Sequence, residues 1–196
     1  YDVDRAENLL ADAGFNLGTD GVLHDAQNRE FSFRLTYPAG SGDYEKMVLF
    51  MKDAYARAGI VLAPDPLEWG AFTERLDNKN FEAISLGWTA GVESDIFQMF
   101  HSSQAVAGGD DFMSYKSPEL DAAIDQARRT MDESKRMTLW QNAHRIIHED
   151  QPYTFLWYPK SLIFLDQRIH NVQLVKLGLN PSSEWFVPRD QQKWTK

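Results

Sequence analysis

The sequence contains no cysteine, which removes disulfides, thiolate metal sites and cysteine nucleophiles together while leaving the compartment open. It has no basic excess either. Twenty Lys and Arg against 29 Asp and Glu give a net charge of −9, the opposite of the counterion-releasing surface that nucleic acid requires, so a nucleic-acid partner is excluded. No apolar run approaches the ~18 residues of a membrane span. No segment repeats another, and none is of low complexity. The first residues, Tyr-Asp-Val-Asp-Arg-Ala-Glu, open a helix instead of a basic-then-apolar leader, so an export signal is expected upstream and the chain reads as a fragment.

What is present is ample apolar matter. In 196 residues, 43% hydrophobic and 13% aromatic composition suffices for one packed domain with an attached arm. Six Trp, seven Tyr and twelve Phe exceed the needs of a small core and favour an aromatic-lined binding surface.

The punctuation of the chain predicts its elements. Asp2 caps a helix whose Ala6, Leu9, Leu10 and Ala13 share a face, with Gly14 as a left-handed stop and Phe15 folding back. Phe31, Phe33, Leu35 and Tyr37 alternate as a strand does, with Val22-Leu23 as hairpin partner across Asp25–Asn28. After the loop Pro38–Asp43 a helix is expected at about 44–58, with Met47, Phe50, Met51, Ala54 and Ala58 on one face and Ala58-Gly59-Ile60 as its stop. Strands are expected at Ile60–Ala63 and Phe81–Trp88, around a short helix carrying Trp69, Phe72 and Leu76. Alternating strands and helices of this kind imply an α/β fold with a mostly parallel sheet.

Ser117 and Pro118 then open a helix with Leu120, Ile124, Ala127 and Met131 aligned, followed by a second at about 134–149 with Met137, Trp140, Ala143 and Ile147. The two are expected to form a hairpin packed on the sheet. Tyr153–Tyr158 and Ser161–Leu165 are strand-like around Pro159-Lys160, and the tail from Gly178 has no period.

In an open parallel sheet the binding crevice lies beyond the carboxyl ends of the strands. Two loops are expected there, Tyr37–Asp43 and Trp88–Asp95, with Pro66-Leu67-Glu68 between them in sequence. Trp88 stands at a strand end before small residues. It either caps the core or offers its ring to a ligand. His144 and His148 lie one helical turn apart, but Arg145 occupies the place of a metalloprotease glutamate and no third ligand is evident, so no metal is expected. Pro38–Asp43 lacks the Gly-Lys-Ser/Thr ending of a nucleotide loop, and no cofactor is expected. Glu93 and Asp95 read as a carboxylate pair, as cation contacts or, for Asp95 preferentially, as a helix cap. His101 and His170 stand alone. A hydrolase-type enzyme with a carboxylate-lined cleft and an aromatic-surface interaction module remain as alternatives.

Several stretches in order resemble a family. The opening Tyr-Asp-Val-Asp-Arg-Ala-Glu-Asn-Leu-Leu-Ala-Asp-Ala-Gly-Phe, Leu-Thr-Tyr-Pro-Ala-Gly, Ala-Arg-Ala-Gly-Ile-Val-Leu, Phe-Glu-Ala-Ile-Ser-Leu-Gly-Trp and Ser-Tyr-Lys-Ser-Pro-Glu-Leu-Asp resemble the bacterial extracellular solute-binding proteins of family 5, receptors of dipeptide, oligopeptide and nickel ABC importers. The resemblance implies a periplasmic-binding-protein-like (type II) C-terminal lobe over residues 1–159, with 160–196 returning toward an N-terminal lobe outside this sequence. It implies no enzymatic activity. It implies a periplasmic, extracellular or lipid-anchored monomer that holds a small solute between two closing lobes and delivers it to an ABC permease. The implied ligand contacts are Trp88, Thr89, Ala90, Gly91, Glu93, Asp95 and Tyr37. In peptide-binding members an aspartate three positions after the tryptophan pairs with the peptide's α-amino group; here that position is Gly91.

Overall fold

The computed structural model describes residues 2–89, 95–158, 160, 162–175 and 178–193. The chain divides into two compact units. Residues 2–89 and 95–152 form the larger, and the described residues from Tyr153 onward belong to the smaller.

Helix α1 (Val3–Asp12) begins where Asp2 accepts a hydrogen bond from the Arg5 N–H at 3.0 Å. It ends where Gly14 turns left-handed at φ +91° and the Phe15 N–H reaches the Leu10 carbonyl at 2.9 Å, closing the helix end as its sequence predicts. Strands β1 (Asn16–Leu17) and β2 (Leu23–His24) pair antiparallel. The expected hairpin across Asp25–Asn28 is present in reduced form: a bridge joins His24 to Glu30, the Asp25 N–H reaches the Arg29 carbonyl at 3.0 Å and the Phe31 N–H reaches the Leu23 carbonyl at 2.7 Å, while the Leu23 N–H turns to the Gly59 carbonyl at 2.7 Å.

The central strand is β3 (Ser32–Pro38), with β4 (Val61–Leu67) and β5 (Ala83–Ile84) parallel to it on either side. Strand β4 runs four residues further than the apolar pattern of 60–63 suggests. It does so as an edge, where Pro64 and Pro66 can lack an N–H without breaking an inner ladder. Strand β5 is shorter than expected: pairing stops at Ile84, with only the Ser85 N–H reaching the Thr36 carbonyl at 2.9 Å beyond it. Leu86 to Thr89 continue as irregular chain.

Helix α2 (Gly42–Arg57) starts at Ser41, whose hydroxyl accepts from the Tyr44 N–H. Its buried face differs from the expected one. Val48 is fully buried among Leu35, Tyr37 and Leu62, with Tyr44, Met47, Met51 and Tyr55 packed around them; Phe50 is 73% exposed. The correction falls on Phe50 alone, since Met47, Met51, Ala54 and Ala58 are partly buried as expected; the face is turned by roughly half of one residue's 100°, which brings Val48 inward in place of Phe50. Gly59 ends α2 at φ +74°, with the Ile60 N–H on the Tyr55 carbonyl at 3.0 Å. A side chain there would meet Leu17 and Leu23 at 2.9 and 3.0 Å, so glycine is required both by backbone and by space.

Helix α3 (Trp69–Asp77) buries Phe72 and Leu76. It is fastened by Arg75, which pairs with Asp65 on β4, while the Thr36 hydroxyl donates to the same carboxylate at 2.9 Å. After the short α4 (Phe97–Phe100), α5 (Pro118–Arg129) and α6 (Glu133–Asp150) form the expected hairpin. Ser117 caps α5 as expected. Leu120, Ala123, Ile124 and Ala127 of α5 face Trp140, Ala143, Ile146 and Ile147 of α6 as buried residues. Met131 and Met137 are exposed, against expectation, since Met131 lies beyond the end of α5.

In the smaller unit, β6 (Leu174–Val175) pairs with β7 (Gly178–Leu179). Buried Asn180 ties this unit together, accepting from the Gln173 N–H at 2.8 Å and the Trp185 indole at 2.9 Å. The strand-like runs around Pro159 and Lys160 form no ladder among their described residues. Alternation makes a strand only where a neighbouring edge supplies hydrogen-bond partners.

One ion pair makes the β1–β2 corner sensitive to pH. His24 Nε2 lies 3.0 Å from Asp20, and this hydrogen bond holds the imidazole above its ordinary value. Asp20 is held low, first by the Val22 N–H and then by His24. The histidine's contribution to stability is complete below its unfolded value of about 6.5 and is lost as pH rises through the raised folded value. The aspartate's contribution is present above its unfolded value and is lost as pH falls through the depressed one. An NMR titration should place the His24 midpoint above about 6.5 and Asp20→Asn should return it there; a wild-type midpoint at or below that value contradicts the pairing.

Candidate functional site

The carboxyl ends of β3, β4 and β5 share one edge of the sheet, and Trp88 follows four residues after the end of β5. Leu86 is partly buried, while Trp88 is 43% exposed and Thr89 is exposed. The indole is not loose. It stacks on Phe112, with ring centroids 5.8 Å apart and planes inclined by 21°, so Trp88 is backed by a second ring and still keeps accessible surface. Trp88 is thus not sealed into the core, and its free face is open to a contact from outside.

Phe112 was not foreseen. It lies in the irregular Gly108-Gly109-Asp110-Asp111-Phe112-Met113-Ser114 stretch, which has neither period 2 nor period 3.6. The only signal was an aromatic residue inside a glycine-rich polar run. Its turn is anchored at Asp111, which is 1% exposed. Burial pushes that carboxyl upward, opposed by the Tyr115 N–H and by Lys79.

The other expected residues separate. Tyr37 is 5% exposed and belongs to the core with Leu35, Val48 and Leu62; burial, then Glu45 and Asp65, hold its phenol above the usual range. Ala90, Gly91 and Glu93 lie outside the described residues. Asp95 has both oxygens engaged: Oδ1 accepts from the Phe97 N–H at 2.9 Å from just outside α4, whose N-cap position falls on Ile96 and not on Asp95 as expected, and Oδ2 meets Arg128 Nε at 2.9 Å. The Arg128 guanidinium also lies 4.1 Å over the Phe97 ring, a cation–π contact that fixes the start of α4 on α5.

His101 is less solitary than its sequence suggested. It stacks on Phe97 at 4.4 Å, accepts from the Ser103 N–H at 3.1 Å, and sits 3.7 Å from Asp125 and 4.0 Å from Asp121. His144 and His148 are exposed on α6, and Arg145 between them pairs with Glu149 at 2.7 Å and Glu119 at 3.5 Å, joining α6 to the first turn of α5. Among the described residues no group of three or more His, Asp or Glu side chains is placed to hold a metal, and no helix is long and apolar enough to cross a membrane. A parallel sheet followed by a partly exposed aromatic pair is a surface suited to holding a solute.

Comparison with known proteins places the chain in a family. The family profile described as bacterial extracellular solute-binding proteins, family 5 Middle, matches residues 1–109, more than half of the chain. The chain belongs to this family. Its members are non-enzymatic solute-binding proteins. Among family 5 relatives, the oligopeptide-binding protein AppA of Bacillus subtilis (strain 168) is 30% identical over 193 residues, covering 96% of this chain and 35% of AppA. The structure of AppA in complex with a nonapeptide superposes with a TM-score of 0.79 at 26% identity, over 96% of this chain and 38% of that one. The structure of NikZ from Campylobacter jejuni in complex with Ni(L-His) shares the fold, with a TM-score of 0.71 at 24% identity over 78% of this chain and 31% of that one. This family 5 chain thus spans about a third of the length of these relatives, and its α/β architecture is the periplasmic-binding-protein one that its sequence implied.

Proposed function

We propose that this chain is the C-terminal lobe of a periplasmic or extracellular receptor that captures a peptide-like solute and presents it to an ABC permease. The carrying observation is the Trp88–Phe112 stack, an aromatic surface at the carboxyl edge of a parallel sheet in a family 5 chain. Trp88 and Thr89, with Ala90, Gly91 and Glu93 following, supply this lobe's half of the cleft. Asp95 holds the far end of that loop through Arg128, and Tyr37 contributes from the core at the end of β3. Residues 1–159 form the lobe and 160–196 return toward the N-terminal lobe; the unpaired apolar run after Lys160, with Leu162, Ile163 and Phe164 exposed, supports that assignment because such a run lacks only a partner edge. The receptor acts as a monomer.

A peptide ligand is favoured by the overall likeness to AppA, whose structure holds a nonapeptide. Gly91 removes the carboxylate that would anchor a free amino terminus, so the ligand is held through stacking and backbone hydrogen bonds along its length. Denaturing the purified full-length protein and identifying the released molecules by mass spectrometry tests the proposal. A peptide-like molecule in near-stoichiometric amount is expected. Release of nothing, together with no uptake of a synthetic nonapeptide, would overturn it.

A further inference from the structure

Phe112 is held by groups far from it in sequence. Its turn closes on itself, with the Ser114 N–H donating to the Asp111 carbonyl at 3.2 Å, and Ser114 is left-handed at φ +51°. Side chains adopt that conformation where surrounding structure compels it. Lys79 supplies the compulsion: its Nζ donates to the Asp111 carbonyl at 2.8 Å and to Ser114 Oγ at 2.9 Å. Lys79 is itself left-handed at φ +52°, one residue past the C-cap of α3. Two strained residues from separate elements therefore meet through one ammonium group.

The far side of the turn is also tied. The Tyr115 N–H donates to Asp111 Oδ1 at 3.3 Å, and the Tyr115 hydroxyl donates to Asp150 at the end of α6. Asp111 Oδ2 is buried with no partner. A desolvated carboxyl oxygen of this kind is costly and persists where the rest of the network holds it in place.

We propose that Lys79 and Asp111 are positioning residues for ligand recognition, holding the Asp111–Tyr115 turn so that Phe112 stays stacked behind Trp88. The shelf that Trp88 offers is then set from the end of α3, not only from the strand that precedes it. The consequence for binding rests on Trp88 being a ligand wall; the placement of Phe112 does not, and the two are measured separately.

Full-length protein labelled with 5-fluorotryptophan provides the readout, with the Trp88 resonance assigned by its loss in Trp88→Phe. Phe112→Ala defines the signal of an unbacked indole. Lys79→Met should move the Trp88 resonance at least halfway toward that value and Lys79→Arg should restore it; Asp111→Ala, which removes the acceptor of the Tyr115 N–H, should move it in the same direction, and Asp111→Asn, which keeps the Oδ1 acceptor, should restore it. Ser114→Ala removes only one of the two acceptors of Lys79, and so gives a milder shift in a chain that folds even if Lys79→Met does not. Unmoved resonances in both Lys79→Met and Ser114→Ala, with Phe112→Ala shifted, would overturn the proposal, as would an unmoved resonance in Phe112→Ala itself. Titration with a synthetic nonapeptide reads the other question: if Trp88→Ala binds it as wild type does while the fluorine shifts follow the expected pattern, the ligand-wall reading fails and the positioning role stands.

Discussion

Replacing Trp88 with alanine in the full-length protein should weaken capture of a synthetic nonapeptide by about ten- to a hundredfold while leaving the melting temperature nearly unchanged. The indole is 43% exposed and stacks on Phe112, so a ligand packed on its free face gains a second apolar contact without moving the first. Stacking and burial of one aromatic side chain at a site centre are worth about 1.4–2.8 kcal/mol, which is one to two factors of ten in Kd. Trp88→Phe should recover most of the loss, since the ring face and not the indole N–H carries the interaction. Isothermal titration with the peptide, paired with a thermal melt, separates lost binding from lost structure. A drop of many degrees in melting temperature would make Trp88 a core residue instead.

Phe72→Ala should produce the largest loss of stability, about 3–5 kcal/mol measured by urea unfolding. Phe72 is completely buried on α3 and stacks on Trp69 with centroids 5.6 Å apart. Removing a whole ring there leaves a cavity that the fixed backbone of α3, tied by Arg75 to Asp65, cannot collapse. A domain is stable by only about 5–15 kcal/mol, so the variant should populate unfolded chain at ordinary temperature. Phe50→Ala, on the exposed face of α2, should change stability by no more than about 0.5 kcal/mol. Equal effects at the two positions would contradict the core assigned here.

That contrast shows what was legible in the sequence. Ends of helices were readable because caps act locally: Asp2, Ser117, Gly14 and Gly59 each do in the structure what their residue type and neighbours dictate. The buried side of α2 was harder. Leu49 and Phe50 are as apolar as Val48, and only the tertiary position of β3 and β4 decides which of them faces inward. Strand β5 was overextended for a related reason: Leu86 and Trp88 continue an alternating pattern, but the ladder with β3 ends at Thr36 and Ile84.

The candidate site divides in the same way. Trp88 was singled out by a local pattern, an apolar alternation followed by small residues; the structure leaves it partly exposed, four residues beyond the end of β5. Phe112, Lys79 and Asp111 could not, because each joins the site through an irregular turn whose contacts span more than thirty residues of sequence, as the Lys79 to Asp111 bond does. His101 likewise gained its acidic neighbours only when α4 met α5. Residues placed by turns and left-handed backbone carry no periodic signature, and Phe112, the ring stacked on Trp88, is held by such a turn.

We propose above all that the exposed face of Trp88 is a wall of the solute cleft. The most direct measurement is a crystal structure of the full-length protein grown with a synthetic nonapeptide. The peptide is expected within van der Waals contact of the Trp88 ring, about 3.5–4.5 Å between heavy atoms, with Phe112 stacked on the opposite face. A peptide bound elsewhere, with Trp88 covered by protein and out of its reach, would contradict it.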